Sequence, residues 1–150
     1  MSTSNNGVPP ILVGNWTYRS FLSDPNVNAD FDSLEFGVGT IQINDAPMQI
    51  LDGTIGGQGW QLKLSGSIGY GNPFTIQFQG KGIIGGAEWI YSYIGYLVPN
   101  WVNGVDQRPA MVGTIVRVIP HPTGNNGQST APAGVVAQWI AVKQDPIYAA

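Results

Sequence analysis

The chain has 150 residues, the size of one ordinary domain and enough to bury a core of its own. Charged residues are only 10% of it, the net charge is −3 and there is no cysteine, which excludes a basic stripe for nucleic acid, a disulfide framework and any thiolate metal site or nucleophile. Gly, Ser, Thr, Asn and Gln take the place of charge on the surface, and so weak a mutual repulsion favours a homo-oligomer.

Residues 1–10 are polar, end in Pro9-Pro10 and show no strand period, so they are expected to form a flexible segment ahead of a domain over 11–150. The start Met1-Ser2-Thr3-Ser4-Asn5-Asn6-Gly7 has neither the positive nor the apolar part of a secretory signal, and no apolar run approaches the roughly 18 to 20 residues of a membrane helix. A cytoplasmic location with no membrane partner is therefore expected, although a secreted mature form without its signal would read the same.

From there the hydrophobic period is two nearly throughout, in short segments separated by Gly, Pro or Asn. The candidate strands are 12–21, 34–43, 48–55, 59–68, 74–83, 87–98, 110–119 and 134–143. The turns at Gly56-Gly57-Gln58 and Tyr70-Gly71-Asn72-Pro73 are short enough only for antiparallel neighbours, which makes the middle of the chain a meander. The expected fold class is all-β: a single antiparallel closed β-barrel of about eight strands with little or no helix. Longer connections at 99–109 and 120–133 flank the seventh strand, so they lie at opposite mouths and at most one borders a single-ended cavity.

Gly14-Asn15-Trp16 opens the first strand, and Lys143 stands in the last. A Gly-x-Trp at the start of strand one, with a basic residue of the final strand packed across the indole, resembles the calycins, the lipocalin and avidin group of eight-stranded barrels. A cation on the Trp face is favourable by about 0.5–2 kcal/mol. The chain departs from lipocalins in having no helix before the last strand and no cysteine. The barrels of allene oxide cyclases and dirigent proteins, which guide ring closures, are the second resemblance.

Aromatic residues concentrate in the sixth segment, where Trp89, Tyr91 and Tyr93 share one parity with Leu97 while Glu88, Ile90 and Ile94 share the other. Facing inward, the first set, joined by Tyr18, makes an aromatic wall with phenol donors for a flat or ring-bearing ligand; facing outward, it makes an oligomer interface; plain core packing is the third reading. Glu88, Arg117 and Gln138 fall on three strands expected to be adjacent, each on an apolar stripe. Burial of either charge is costly unless the two pair, so a lumenal Glu88–Arg117 pair is the candidate anchor or general acid/base, with Gln138 beside it, and an exposed ion pair is its alternative. His121, the only histidine, lies between two prolines in a connection and reads as a solvated loop residue, with a lone acid or base at a barrel mouth as its alternative. Asp24, Asp30, Asp32 and Glu35 lack EF-hand spacing, so no metal site is expected and no cofactor either.

Three functions remain in play. The first is a barrel that binds a small apolar or aromatic ligand. The second is a cofactor-independent cyclase or isomerase that uses the same lumen. The third is a carbohydrate-binding module. The binder is preferred because no catalytic dyad is evident in the sequence.

Overall fold

The computed structural model describes residues 10–98, 103–105, 107–123 and 129–144. Within them the chain forms ten strands: β1 (Gly14–Leu22), β2 (Glu35–Asn44), β3 (Ile50–Gly57), β4 (Trp60–Gly69), β5 (Thr75–Ile84), β6 (Ala87–Leu97), β7 (Ala110–Arg117), β8 (His121–Thr123), β9 (Ser129–Ala131) and β10 (Val136–Val142). Eight of them close into a barrel in the order β1-β10-β7-β6-β5-β4-β3-β2, every pair antiparallel, while β8 and β9 form a hairpin of their own. The expected all-β closed barrel is thus the fold, with a single 3₁₀ turn at Phe31–Leu34 as its helical content among the described residues. The expected flexible segment 1–10 lies, apart from Pro10, outside the described residues.

Two-residue periodicity decides which side chains enter the lumen. Along β10 Ala137, Trp139 and Ala141 are buried while Val136, Gln138 and Ile140 stand outside. Along β6 Tyr91, Tyr93 and Gly95 are buried, with Ile94 and Tyr96 exposed. Gly85 and Gly86, at φ +59° and +82°, join β5 to β6; two successive residues of positive φ are what a type I′ hairpin turn requires.

Each barrel strand runs between a lower end, where β1 begins, and an upper end, where β2 begins. The lower end is closed from below. Leu12 is fully buried there and its carbonyl accepts the Trp16 indole N–H at 3.0 Å. Lys143 pairs with Trp16 through an antiparallel backbone bridge; where the calycin resemblance implies a cation packed across the indole, the ammonium donates to the carbonyls of Pro10 and Ile11 at 3.2 and 3.0 Å. The cation therefore ties the incoming chain to the last strand. Nearby, the Val142 amide donates to the Thr17 hydroxyl at 3.0 Å, a side chain doing part of the ladder's work where β1 meets β10.

Above that floor the lumen is filled in layers. Ile41, Ile43, Leu51, Leu64, Ile76 and Met111 form an aliphatic layer, each no more than 1% exposed. Over it lie Tyr18, Phe78, Tyr93 and Trp139, with Phe78 stacked on Tyr93 at 4.5 Å and Trp139 edge-on to both. Gly113 is the partner of Trp139 on β7 and Gly95 is Gly113's partner on β6; Gly95 leaves room for the Trp139 indole, whereas a Cβ at Gly113 would strike the β6 backbone at Ile94. The outer wall is sparsely charged, with Lys63–Asp52 and Lys81–Glu88 pairs on β3 to β6 and exposed Ile94, Tyr96, Val136 and Ile140 on β6 and β10.

A Cβ at Gly95 would sit 2.8 Å from Trp139 Cζ2 and 2.6 Å from the Val112 carbonyl oxygen. Gly95→Val is accordingly expected to destabilise the barrel by at least about 2 kcal/mol through overpacking. Urea unfolding checks this, and an unchanged midpoint with an unchanged slope would contradict the packing described for Trp139.

Candidate functional site

At the upper end the layers stop and a cavity of about 220 Å³ opens. Its walls come from Tyr18 and Ser20 of β1, Phe36 and Gly37 of β2, Trp60 of β4, Trp89, Tyr91 and Tyr93 of β6, and Ile115 of β7. The Tyr18–Tyr93–Trp139 layer is its floor. Each wall residue reaches the lumen by strand alternation except Phe36. Between Ser20 and Phe21 the β1–β2 register shifts by one residue, so Phe36 is the extra residue of a bulge and its ring turns toward Tyr91, 6.2 Å away and edge-on.

The connection after β7 brings the β8–β9 hairpin against β6 at this end. His121, 5% exposed, stacks flat on the Trp89 indole with ring centroids 3.7 Å apart and planes 11° apart. Its Nε2 lies 2.8 Å from the Tyr91 hydroxyl and its Nδ1 lies 3.1 Å from the Pro122 carbonyl oxygen. Arg117 Nε donates to the same Tyr91 oxygen at 3.1 Å. These contacts assign the protons: the Tyr91 oxygen accepts from Arg117 and gives its own proton to Nε2, while Nδ1–H donates to Pro122. A neutral imidazole fits that chain. Burial and the nearby guanidinium charge both hold the His121 pKa below its ordinary value.

Arg117 is the buried charged side chain among the described residues, 9% exposed. Its guanidinium lies over two cavity-lining rings, 5.1 Å from the Phe36 centroid and 5.7 Å from that of Tyr91, and NH1 donates to the Pro132 carbonyl at 3.1 Å. Deeper in, burial pushes the Tyr18 phenol up to about 12 against hydrogen bonds from Ser20 and Tyr93. Tyr93 is raised further for the same reason, helped by its neighbour Tyr18. Both phenols keep their protons at neutral pH. Trp89 Nε1 is buried with no hydrogen-bond partner among the described residues.

The structure brings together five of the seven residues singled out from the sequence and separates two. Tyr18, Trp89, Tyr91, Tyr93 and Arg117 meet at the upper mouth. Glu88 does not pair with Arg117: it is on the outer face of β6, 3.6 Å from Lys81 of β5 and 45% exposed. Tyr91, not Glu88, is the β6 residue in register with Arg117. Gln138 likewise points outward, beside Thr114 and Phe21. His121, read as a solvated loop residue, is instead buried within the site. Phe36, Trp60 and Ser20 complete the wall. Trp60 shares the inward parity of Leu62 and Leu64, the signal that marks it; Phe36 has no such signal, because alternation does not announce a bulge. Among the described residues no group of three or more His, Asp or Glu could hold a metal ion.

Comparison with protein-family models, curated proteins and solved structures finds no match. The function must therefore be argued from the cavity itself.

His121 is the only histidine, so its titration is readable in whole-protein stability. With a folded-state pKa below the ordinary histidine value of 6.5, the folded form binds fewer protons than the unfolded one, so stability is complete above that value and declines as pH falls beneath it. Unfolding midpoints between about pH 7.5 and 5.5 should fall in the wild type and fall less in His121→Gln. Equal slopes in the two proteins would show that His121 is not held neutral by the site.

Proposed function

We propose that the barrel binds a small ring-bearing molecule in the cavity at its upper mouth. The observation that carries this reading is the wall: six aromatic side chains from β1, β2, β4 and β6 surround about 220 Å³ that the packed layers below leave open. An eight-stranded barrel is just wide enough either to be filled by its own side chains or to hold one small ligand, and this one is filled below and open above. An apolar cavity of about 150 Å³ accepts benzene, so the space here suits one substituted ring or a fused pair. Flat rings gain from edge and face contacts with Trp60, Trp89 and Tyr91.

The cyclase or isomerase reading has one observation of its own, the chain Arg117 to Tyr91 to His121. A phenol between a guanidinium donor and a neutral imidazole acceptor can pass its proton to His121 while the cation faces the oxygen left behind. Under that reading Tyr91→Phe retains ligand binding but abolishes turnover, and turnover preserved in the variant removes Tyr91 from the chemistry. The carbohydrate reading draws on exposed aromatic faces, whereas Trp89, Tyr91 and Tyr93 are turned into the lumen.

Native mass spectrometry of protein purified from its own source tests the binder directly. A retained small molecule is expected, and it should be absent from Gly37→Leu. A Cβ there meets only Ser20 Oγ at 3.2 Å and Tyr18 Cε2 at 3.5 Å, so a larger side chain enters the cavity without striking backbone. A barrel that is empty, and unaffected in its melting by ring compounds, would defeat the reading.

A further inference from the structure

The cavity and its rim are rich in donors. Arg117 has five N–H groups, of which Nε serves Tyr91 and one on NH1 serves Pro132; the other three have no partner among the described residues. Nor does any described carboxylate lie within ion-pair distance of it, since the ion pairs there join Lys63 to Asp52 and Lys81 to Glu88 on the outer wall. A cation more than nine-tenths buried, held against Phe36 and Tyr91 with no counter-ion among the described residues, is costly to maintain. The Trp89 ring lines the cavity, while its N–H is buried without an acceptor among the described residues. Both residues touch Tyr91, with Trp89 edge-on at 6.3 Å between centroids, so Arg117 stands beside the aromatic wall of the cavity. No side chain in the cavity wall carries a negative charge.

Guanidinium donors without acceptors and a cation without an anion among the described residues call for the same complement. We propose that the cavity's occupant is a ring-bearing carboxylate, its ring among the aromatic walls and its carboxylate on the Arg117 guanidinium. The proposal rests on reading the cavity as a ligand site, and it narrows that site's chemistry. The planar guanidinium fork matches a carboxylate in two parallel hydrogen bonds, and charge-assisted bonds of this kind are about twice as strong as neutral ones. Arg117 also holds the chain after β9 through Pro132, so the bound anion would complete a cation that the fold already positions.

Matched acids and amides separate the ring from the charge. Benzoate and benzamide, cinnamate and cinnamamide, and indole-3-carboxylate and indole-3-carboxamide would each be titrated calorimetrically into the full chain. In at least one pair the acid is expected to bind about tenfold or more tightly than the amide. Arg117→Gln and Arg117→Met should bring that acid to its amide's affinity while the amide stays within about twofold of its wild-type value. Should either variant fail to fold, the wild-type contrast decides alone. Amides that bind as tightly as their acids would overturn the carboxylate and leave the ring site standing, with Arg117 reduced to a structural pin for Pro132. Acid affinity unchanged in a folded Arg117 variant overturns the assignment of Arg117. Binding by no member of any pair overturns both this inference and the ligand site beneath it.

Discussion

The width of an eight-stranded barrel governs this molecule. Its lumen admits one layer of inward side chains per level and nothing wider, so every inward position is either filler or the edge of a space. At the lower levels the positions are Ile, Leu and Met, and the space closes. At the middle level four aromatic rings interlock, and Gly95 keeps the wall thin enough for Trp139 to fit. At the upper level Gly37 stands where a bulky residue would have continued the filling, and a cavity results. The division between a packed half and an open half thus follows from residue size along the same strands.

That division also separates polar from apolar work. Below the aromatic layer the interior needs no polar partners beyond the Trp16 indole, which Leu12 satisfies. Above it lie Ser20, Arg117 and His121, the buried polar and charged side chains among the described residues. Interior polar groups are costly unless matched, so their concentration at one mouth marks where the fold gives up stability for something else. Tyr91 is the hub of that region: it faces the lumen, accepts from Arg117, donates to His121 and packs edge-on against Phe36 and Trp89.

Strand periodicity made the barrel legible, because alternation and short Gly-rich turns admit few other folds. It also grouped Trp89, Tyr91 and Tyr93 on one face. What it could not do was say which face was inside. In most sheets the outer face is announced by charge, but here Ile90 and Ile94 share the outside of β6 with Glu88, so both faces read as apolar. With the in–out contrast missing, Glu88 and Arg117 each seemed to sit on an inward stripe, although only Arg117 does. Phe36 was hidden by a bulge and His121 by its prolines, which suggested a loop; the stacking on Trp89 is a tertiary contact across 32 residues that no local pattern encodes.

The arrangement at the mouth sets the order in which its parts depend on one another. His121 accepts the Tyr91 proton only while its Nε2 is bare, and burial beside a cation keeps it so. The Tyr91 oxygen, its proton thus engaged, is free to accept from Arg117 Nε, which orients the guanidinium over Phe36. The Phe36 ring is available there because β2 bulges opposite Ser20 and Phe21. Among the described residues the buried cation is therefore aimed by neutral groups alone: a phenol, an imidazole, two aromatic faces and a backbone carbonyl. None of these cancels its charge. Had a carboxylate stood at Ser20 or Gly37, the fold would have neutralised Arg117 internally and closed the space at once. Neutral positioning instead leaves the positive charge uncompensated by any described side chain, beside the level of the barrel that the described side chains do not fill.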